Sequence, residues 1–133
     1  MRRILKDNKG AAYIELTIVL LVIMAIISVS MQIYPAFILK YNLDSFAHEA
    51  MRTAETSGQI GKEVDNKINR LENTLNITPE ITWSTEYLEG KKIQLNSEIE
   101  VELIKEYTIK FLGNEIQIPI NAKAKGRSEV YWK

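Results

Sequence analysis

Hydrophobic and polar positions change rhythm along the chain, and each rhythm predicts a different element. The first is LTIVLLVIMAIISVSMQIYPAFIL, residues 16–39, which holds no charge and places Leu, Ile, Val and Met on every face of a helix. A helix of 24 residues rises roughly 36 Å, enough to cross a hydrocarbon core of about 30 Å. A one-sided core helix would show a stripe instead. Leu16 to Leu39 is therefore the predicted transmembrane segment. Pro35 falls in its last turns, where a missing N–H predicts a kink or a loosened turn.

Helical rhythm continues past Lys40 but becomes one-sided. Leu43, Phe46, Ala47, Ala50, Met51 and Ala54 follow the i, i+3, i+4, i+7 spacing of a single apolar stripe. One helix over residues 11–56 is expected, lipid-compatible first and amphipathic later, with Ser57-Gly58 as its stop. A second helix is signalled by Ile60, Val64, Ile68, Leu71 and Leu75, closed by Asn76 and Pro79. Then the period becomes two. Ile81, Trp83, Thr85 and Tyr87 predict a strand, with a turn at Glu89-Gly90.

Ile93, Leu95, Ile99, Val101, Leu103, Tyr107, Ile109 and Phe111 share one parity, opposite Gln94, Asn96, Glu98, Glu100 and Glu102. That stretch is long for one strand, so a break is expected near Lys105, the odd charge on the apolar parity. Gly113-Asn114 signals a hairpin that would pair Phe111 with Ile116, Ile109 with Ile118, Tyr107 with Ile120 and Leu103 with Ala124. Pro119 cannot donate to a ladder and predicts an edge strand. The expected fold is α+β. A long N-terminal helix with a membrane half and an amphipathic half, and a second short helix, accompany a small antiparallel sheet of three to four strands. Trp83, Tyr87, Tyr107 and Phe111 are expected in its core.

Charge adds an orientation. The whole chain balances 17 Lys+Arg against 17 Asp+Glu, but Arg2, Arg3, Lys6 and Lys9 face only Asp7 in residues 1–10. After the apolar run, Lys40 and Arg52 face Asp44, Glu49 and Glu55. The positive-inside rule then places the N-terminus in the cytoplasm and the rest outside. Residues 40–133 hold the other 13 basic side chains against 15 acidic ones, without the basic excess of a nucleic-acid binder, so no nucleic-acid partner is expected.

Candidate chemistry is sparse. There is no Cys and one His, which excludes disulfides, thiol nucleophiles and Cys-based zinc sites. Gly58-Gln59-Ile60-Gly61-Lys62 lacks the spacing and the following Ser or Thr of a phosphate loop. His48 has Asp44 and Arg52 at helical spacing, which reads as a polar helix face. Glu98, Glu100 and Glu102 read as a solvated sheet face. Asn76-Ile77-Thr78 matches a glycosylation sequon by pattern alone. No catalytic set, metal site or cofactor is expected, and the chain is not read as an enzyme.

The informative motif is Lys9-Gly10-Ala11-Ala12-Tyr13-Ile14-Glu15, directly before the apolar run. It puts a basic leader, a small-residue peptide bond and one carboxylate at the mouth of the membrane segment. This junction resembles that of the type IV pilin and pseudopilin family. With the small head and the closing SEVYWK, it is most similar to TadE-type minor pilins of tight-adherence (Tad) systems, in a Gram-positive version. The resemblance implies cleavage by a prepilin peptidase between Gly10 and Ala11, which makes Glu15 the fifth mature residue. Leu16 departs from the Tyr usual at the next position in the short major pilins, and favours a minor subunit.

The resemblance also implies a role for Glu15 in assembly and register. A carboxylate within a membrane segment costs about 2.5–3.5 kcal/mol at the centre, less near an interface. Cleavage would create an amine at Ala11, and the Glu15 of a neighbouring subunit could neutralise it when helices stack. A bare helix-dipole role would contribute about 0.3–1 kcal/mol.

The organisation expected is a basic cytoplasmic leader (1–10), the transmembrane half of the long helix (11–39), its amphipathic half (40–56) and an extracytoplasmic αβ head (57–133). The expected partners are a prepilin peptidase, other pilin-like subunits, assembly-platform proteins and membrane lipid. Two other readings fit the same residues. One is a secreted envelope protein cleaved after Ser28-Val29-Ser30. The other is a plain single-pass membrane protein whose head binds a partner.

Overall fold

The long helix forms because nothing between Lys9 and Ser57 breaks it except Pro35, whose missing donor removes a single backbone bond. The computed structural model describes residues 9–111 and 113–133. In it, helix α1 spans Lys9–Ser57 with Pro35 inside. The chain divides into two compact units at this proline, the first ending at Pro35 and the second being Ala36–Lys133.

Within the second unit the amphipathic stripe of α1 is the spine of the core. Leu43, Phe46, Ala47, Ala50, Met51 and Ala54 are all buried, as their spacing predicts. Each fully buried Leu or Phe contributes roughly 1.5–3 kcal/mol over its exposed state. Helix α2, Lys62–Leu75, adds buried Val64 and packs Ile68, Leu71 and Leu75 against the same cluster. Ile60 is buried but lies before α2. Asn76 ends α2 in the left-handed conformation (φ 53°), which Asn tolerates better than most residues.

Three antiparallel strands complete the head, β1 (Glu80–Thr85), β2 (Glu98–Phe111) and β3 (Asn114–Arg127), in the order β1-β2-β3. Ile99, Val101 and Leu103 of β2 and Ala122 and Ala124 of β3 face the helices and are buried. Pro119 lies on β3, an edge strand, as expected. The fold is thus the α+β arrangement the sequence predicts, with three strands.

Four expectations are corrected. β2 runs through Lys105 without a break, because the stem of this side chain can stay on the apolar face while its Nζ donates to the carbonyl of Thr78 at 3.2 Å. The hairpin register is offset by two residues. Phe111 pairs with Asn114, Ile109 with Ile116, Tyr107 with Ile118 and Leu103 with Ala122. The ladder therefore ends at Phe111↔Asn114, which leaves Gly113 at φ 84° outside it and takes Asn114 into the strand instead of the turn. Ile93 and Leu95 precede β2 in irregular structure. Lastly, of the named aromatics with described side chains none is fully buried, although Trp83 packs against the core cluster. Trp83 and Tyr107 are half-buried, Tyr87 lies beyond β1 and is exposed, and the Phe111 side chain is outside the described residues. Among the described residues the buried aromatic is Phe46, which the helix supplies.

Candidate functional site: the apolar helix and its single carboxylate

The first part of α1 exposes its hydrophobic side chains all round. From Tyr13 to Ile27 the large apolar residues stand out from the helix with none buried. Two hydroxyls of this part of α1 bond back to their own helix, Thr17 Oγ1 to the Tyr13 carbonyl at 2.8 Å and Ser30 Oγ to the Ile26 carbonyl at 2.9 Å. Such back-bonding satisfies polar groups where no water is available. Helix Gly10–Ser57 is long and apolar enough to cross a membrane, and its place near the N-terminus fits a single-pass anchor.

Gly10, Ala11 and Glu15 all lie in this helix and are exposed. Ala11 and Glu15 are four residues apart and share one face, about one turn from each other. Between Gly10 and Leu39, Glu15 is the one charged side chain. Gly10 is not required by the fold. A Cβ there would meet nothing within 4 Å, and its φ is not positive. Glycine costs up to about 1 kcal/mol relative to alanine in a helix interior, and nothing in the local structure favours it at this position. The leader residues Arg2, Arg3 and Lys6 lie outside the described residues.

Several of the head's charged groups form ion pairs. On the solvent face of the sheet, Lys125 meets Glu100 at 2.8 Å and Lys123 meets Glu102 at 3.2 Å. The hydrogen bond from Lys125 holds the Glu100 carboxyl below its usual range, and Glu100 in turn raises Lys125. Lys67 of α2 meets Glu49 of α1 at 2.7 Å, and its hydrogen bond likewise lowers Glu49. His48 Nδ1 lies 2.7 Å from the Asp44 carbonyl, while the Asp44 carboxylate pairs with Lys40 at 2.7 Å. Among the described residues, no three His, Cys, Asp or Glu side chains gather where they could hold a metal ion.

One structural device lay outside the periodic signals. The closing segment 128–132 folds back over the end of α1. Glu129 N–H donates to the Glu55 carbonyl at 3.0 Å, and Trp132 Nε1–H to the Gly58 carbonyl at 2.9 Å. Lys92 Nζ sits 4.6 Å from the Trp132 ring centre. Ser128, buried, donates its hydroxyl to the Ile93 carbonyl at 3.1 Å. The segment satisfies carbonyls that a helix end leaves open. Its aromatic content was the only hint in the sequence.

A family model described as a domain of unknown function (DUF4320) matches residues 19–133. The matched region covers all but the first three residues of the apolar run and the whole head, and begins after Gly10, Ala11 and Glu15. No curated protein and no solved structure matches the chain.

Proposed function

The chain belongs to the DUF4320 family, and we propose that it is a membrane-anchored, pilin-like structural subunit, a minor component of a type IV or Tad-type filament or its assembly complex. In this reading α1 crosses the membrane over residues 11–39 with its N-terminus in the cytoplasm. The head stands outside. A prepilin peptidase removes residues 1–10 by cutting after Gly10. Other pilin-like subunits and the assembly platform then receive the mature chain, and the role is structural rather than catalytic.

The observation that carries this reading is Glu15, alone in charge on an otherwise apolar and exposed helix surface. A membrane anchor by itself gains at most the roughly 0.3–1 kcal/mol of a helix-dipole contact from a carboxylate at that position, whereas an assembly of helices gains a partner for the amine created at Ala11. Gly10 supports the same reading, since the fold makes no demand for glycine there.

Glu15→Gln tests it by separating assembly from insertion. The variant keeps size and helix propensity, so insertion and cleavage after Gly10 are expected to persist. Incorporation is expected to fail, because leaving one charge of a buried pair alone costs about 3–5 kcal/mol, well above the roughly 0.3–1 kcal/mol of a helix-end effect. The readout is co-purification of processed protein with sheared filaments or their basal complex. Normal incorporation of the Gln variant would reduce Glu15 to a helix-end charge and sink the assembly reading.

A further inference from the structure

The β2–β3 hairpin is longer than the core it covers. Its ladder is unbroken from Glu98↔Arg127 to Phe111↔Asn114, yet the buried apolar pairs stop at Leu103↔Ala122. Beyond them the same apolar parity continues in Tyr107 and Ile109 on β2 and in Ile116 and Ile118 on β3. Ile116 is 52% exposed and Ile118 41%. The other parity carries Glu106, Thr108, Lys110, Glu115 and Gln117, and Lys110 pairs with Glu115 at 3.0 Å. The far half of the hairpin is an amphipathic ribbon whose polar side is largely self-neutralised.

Two contacts within the head fix the direction in which this ribbon points. Glu55 Oε1 accepts from Arg127 N–H at 3.0 Å, and Lys40 Nζ donates to the Asn121 carbonyl at 2.7 Å. Fifteen helical residues from Glu55 to Lys40 span about 22 Å, and six strand residues from Arg127 to Asn121 span about 20 Å. Helix and strand therefore advance together, and the lower-numbered part of β3 extends past Lys40 toward the end of the head at which the uncharged run enters. At about 3.3 Å per residue, Ile118 lies roughly 10 Å beyond the level of Asn121 and Ile116 roughly 17 Å. Ala36, where the head begins, lies only about 6 Å beyond Lys40 along the helix.

Lys40 ends the uncharged run, and exposed Phe37 and Tyr41 flank it. A cation and aromatics together mark a membrane–water boundary. We propose that the tip of the β2–β3 hairpin is a second membrane contact, which seats Ile109, Ile116 and Ile118 at the headgroup–acyl boundary of the outer surface. Measured from the level of Ala36, Ile118 lies about 4 Å and Ile116 about 11 Å further on, close to the roughly 5–10 Å to which amphipathic surface elements enter that boundary. A second copy of the chain is a poorer occupant, because so few side chains fall far short of the 20–30 residues a side that a stable interface needs. The proposal rests on the membrane-anchor reading of α1.

The chain has no cysteine, so single-cysteine variants of the full-length protein can carry one environment-sensitive fluorophore each. Ile116→Cys, Ile118→Cys, Gln117→Cys and Ile23→Cys are reconstituted into phosphatidylcholine–phosphatidylglycerol vesicles with spin-labelled phosphatidylcholine as quencher. Labels at 116, 118 and 23 are expected to be blue-shifted and to lose most of their emission, while the label at 117 is not. Quenching at 23 with none at 116 or 118 would overturn the hairpin contact and leave the anchor standing. Absence of quenching at 23 would overturn the anchor itself, and the hairpin proposal with it. A blue shift at 116 and 118 that ignores spin-labelled lipid and grows with protein concentration would assign the ribbon to a second copy, and would also overturn the proposal.

Discussion

Phe46→Ala should separate the head's dependence on α1 from every other role of that helix. Phe46 is fully buried and is the largest of the wholly buried side chains among the described residues. Removing a buried Phe to Ala costs about 3–5 kcal/mol in lost transfer energy and residual cavity. The second unit, Ala36–Lys133, is of a size that carries roughly 5–15 kcal/mol in total. The substitution therefore removes a large share of that stability, and should lower the melting temperature by at least about 12 °C. Phe37→Ala is the matched control, on the same helix and with the same chemistry, but 70% exposed. It should leave the head's stability within about 0.5 kcal/mol. Unfolding in mild detergent can be followed by tryptophan emission, since both tryptophans, Trp83 and Trp132, lie in the head. A loss under about 1 kcal/mol for Phe46→Ala, or equal losses for the two variants, would show that the amphipathic half of α1 is not the spine of this core.

Gly58→Ala forces a Cβ onto a residue at φ 62° and into Val130, and should cost roughly 2–4 kcal/mol from left-handed strain and overpacking together. Gly90→Ala, at φ 67° with nothing within 4 Å, should cost only the first of these, so the difference between the two unfolding energies reads the contact with the closing segment. Acid titration should expose the Glu49–Lys67 link between α1 and α2. The folded Glu49 carboxyl is held below its ordinary range, so its stabilisation is present above the ordinary glutamate value and lost as pH falls through the lowered one. The pair is exposed and contributes about 0.2–1 kcal/mol. Glu49→Gln should therefore lower the head's melting temperature slightly at neutral pH and flatten its acid dependence, and an unchanged acid dependence would remove this link from the account.

The helix stripe was legible because burial on one side of a helix writes itself at i, i+3 and i+4, and Leu43 through Ala54 carry no interruption. Sheet parity was legible for the same reason, while register was not. A two-residue slip keeps every side chain on its own face, so the apolar parity of Ile116 and Ile118 fits either pairing and only the loop geometry at Gly113 decides. Lys105 misled because its long stem can stay on the apolar face while its amine reaches the Thr78 carbonyl. Tyr87 and Tyr107 misled because apolar parity predicts a face, and the helices cover only part of it. The closing segment has no period at all, and its bonds to Glu55, Gly58 and Gln94 depend on a tertiary fold. Gly10 and Glu15 are different again. Their spacing was legible only through resemblance, and the fold contributes the observation that neither residue is needed for packing.

The mature N-terminus tests the central claim most directly. Protein extracted from membranes of the native host should begin at Ala11 by terminal sequencing or intact mass, and Gly10→Leu should retain residues 1–10 while still inserting. An N-terminus at Met31 would instead mark cleavage after Ser30 by a signal peptidase and a secreted product. Retention of Met1 in the unaltered chain would mark a plain anchor, and either result would contradict the pilin-like account.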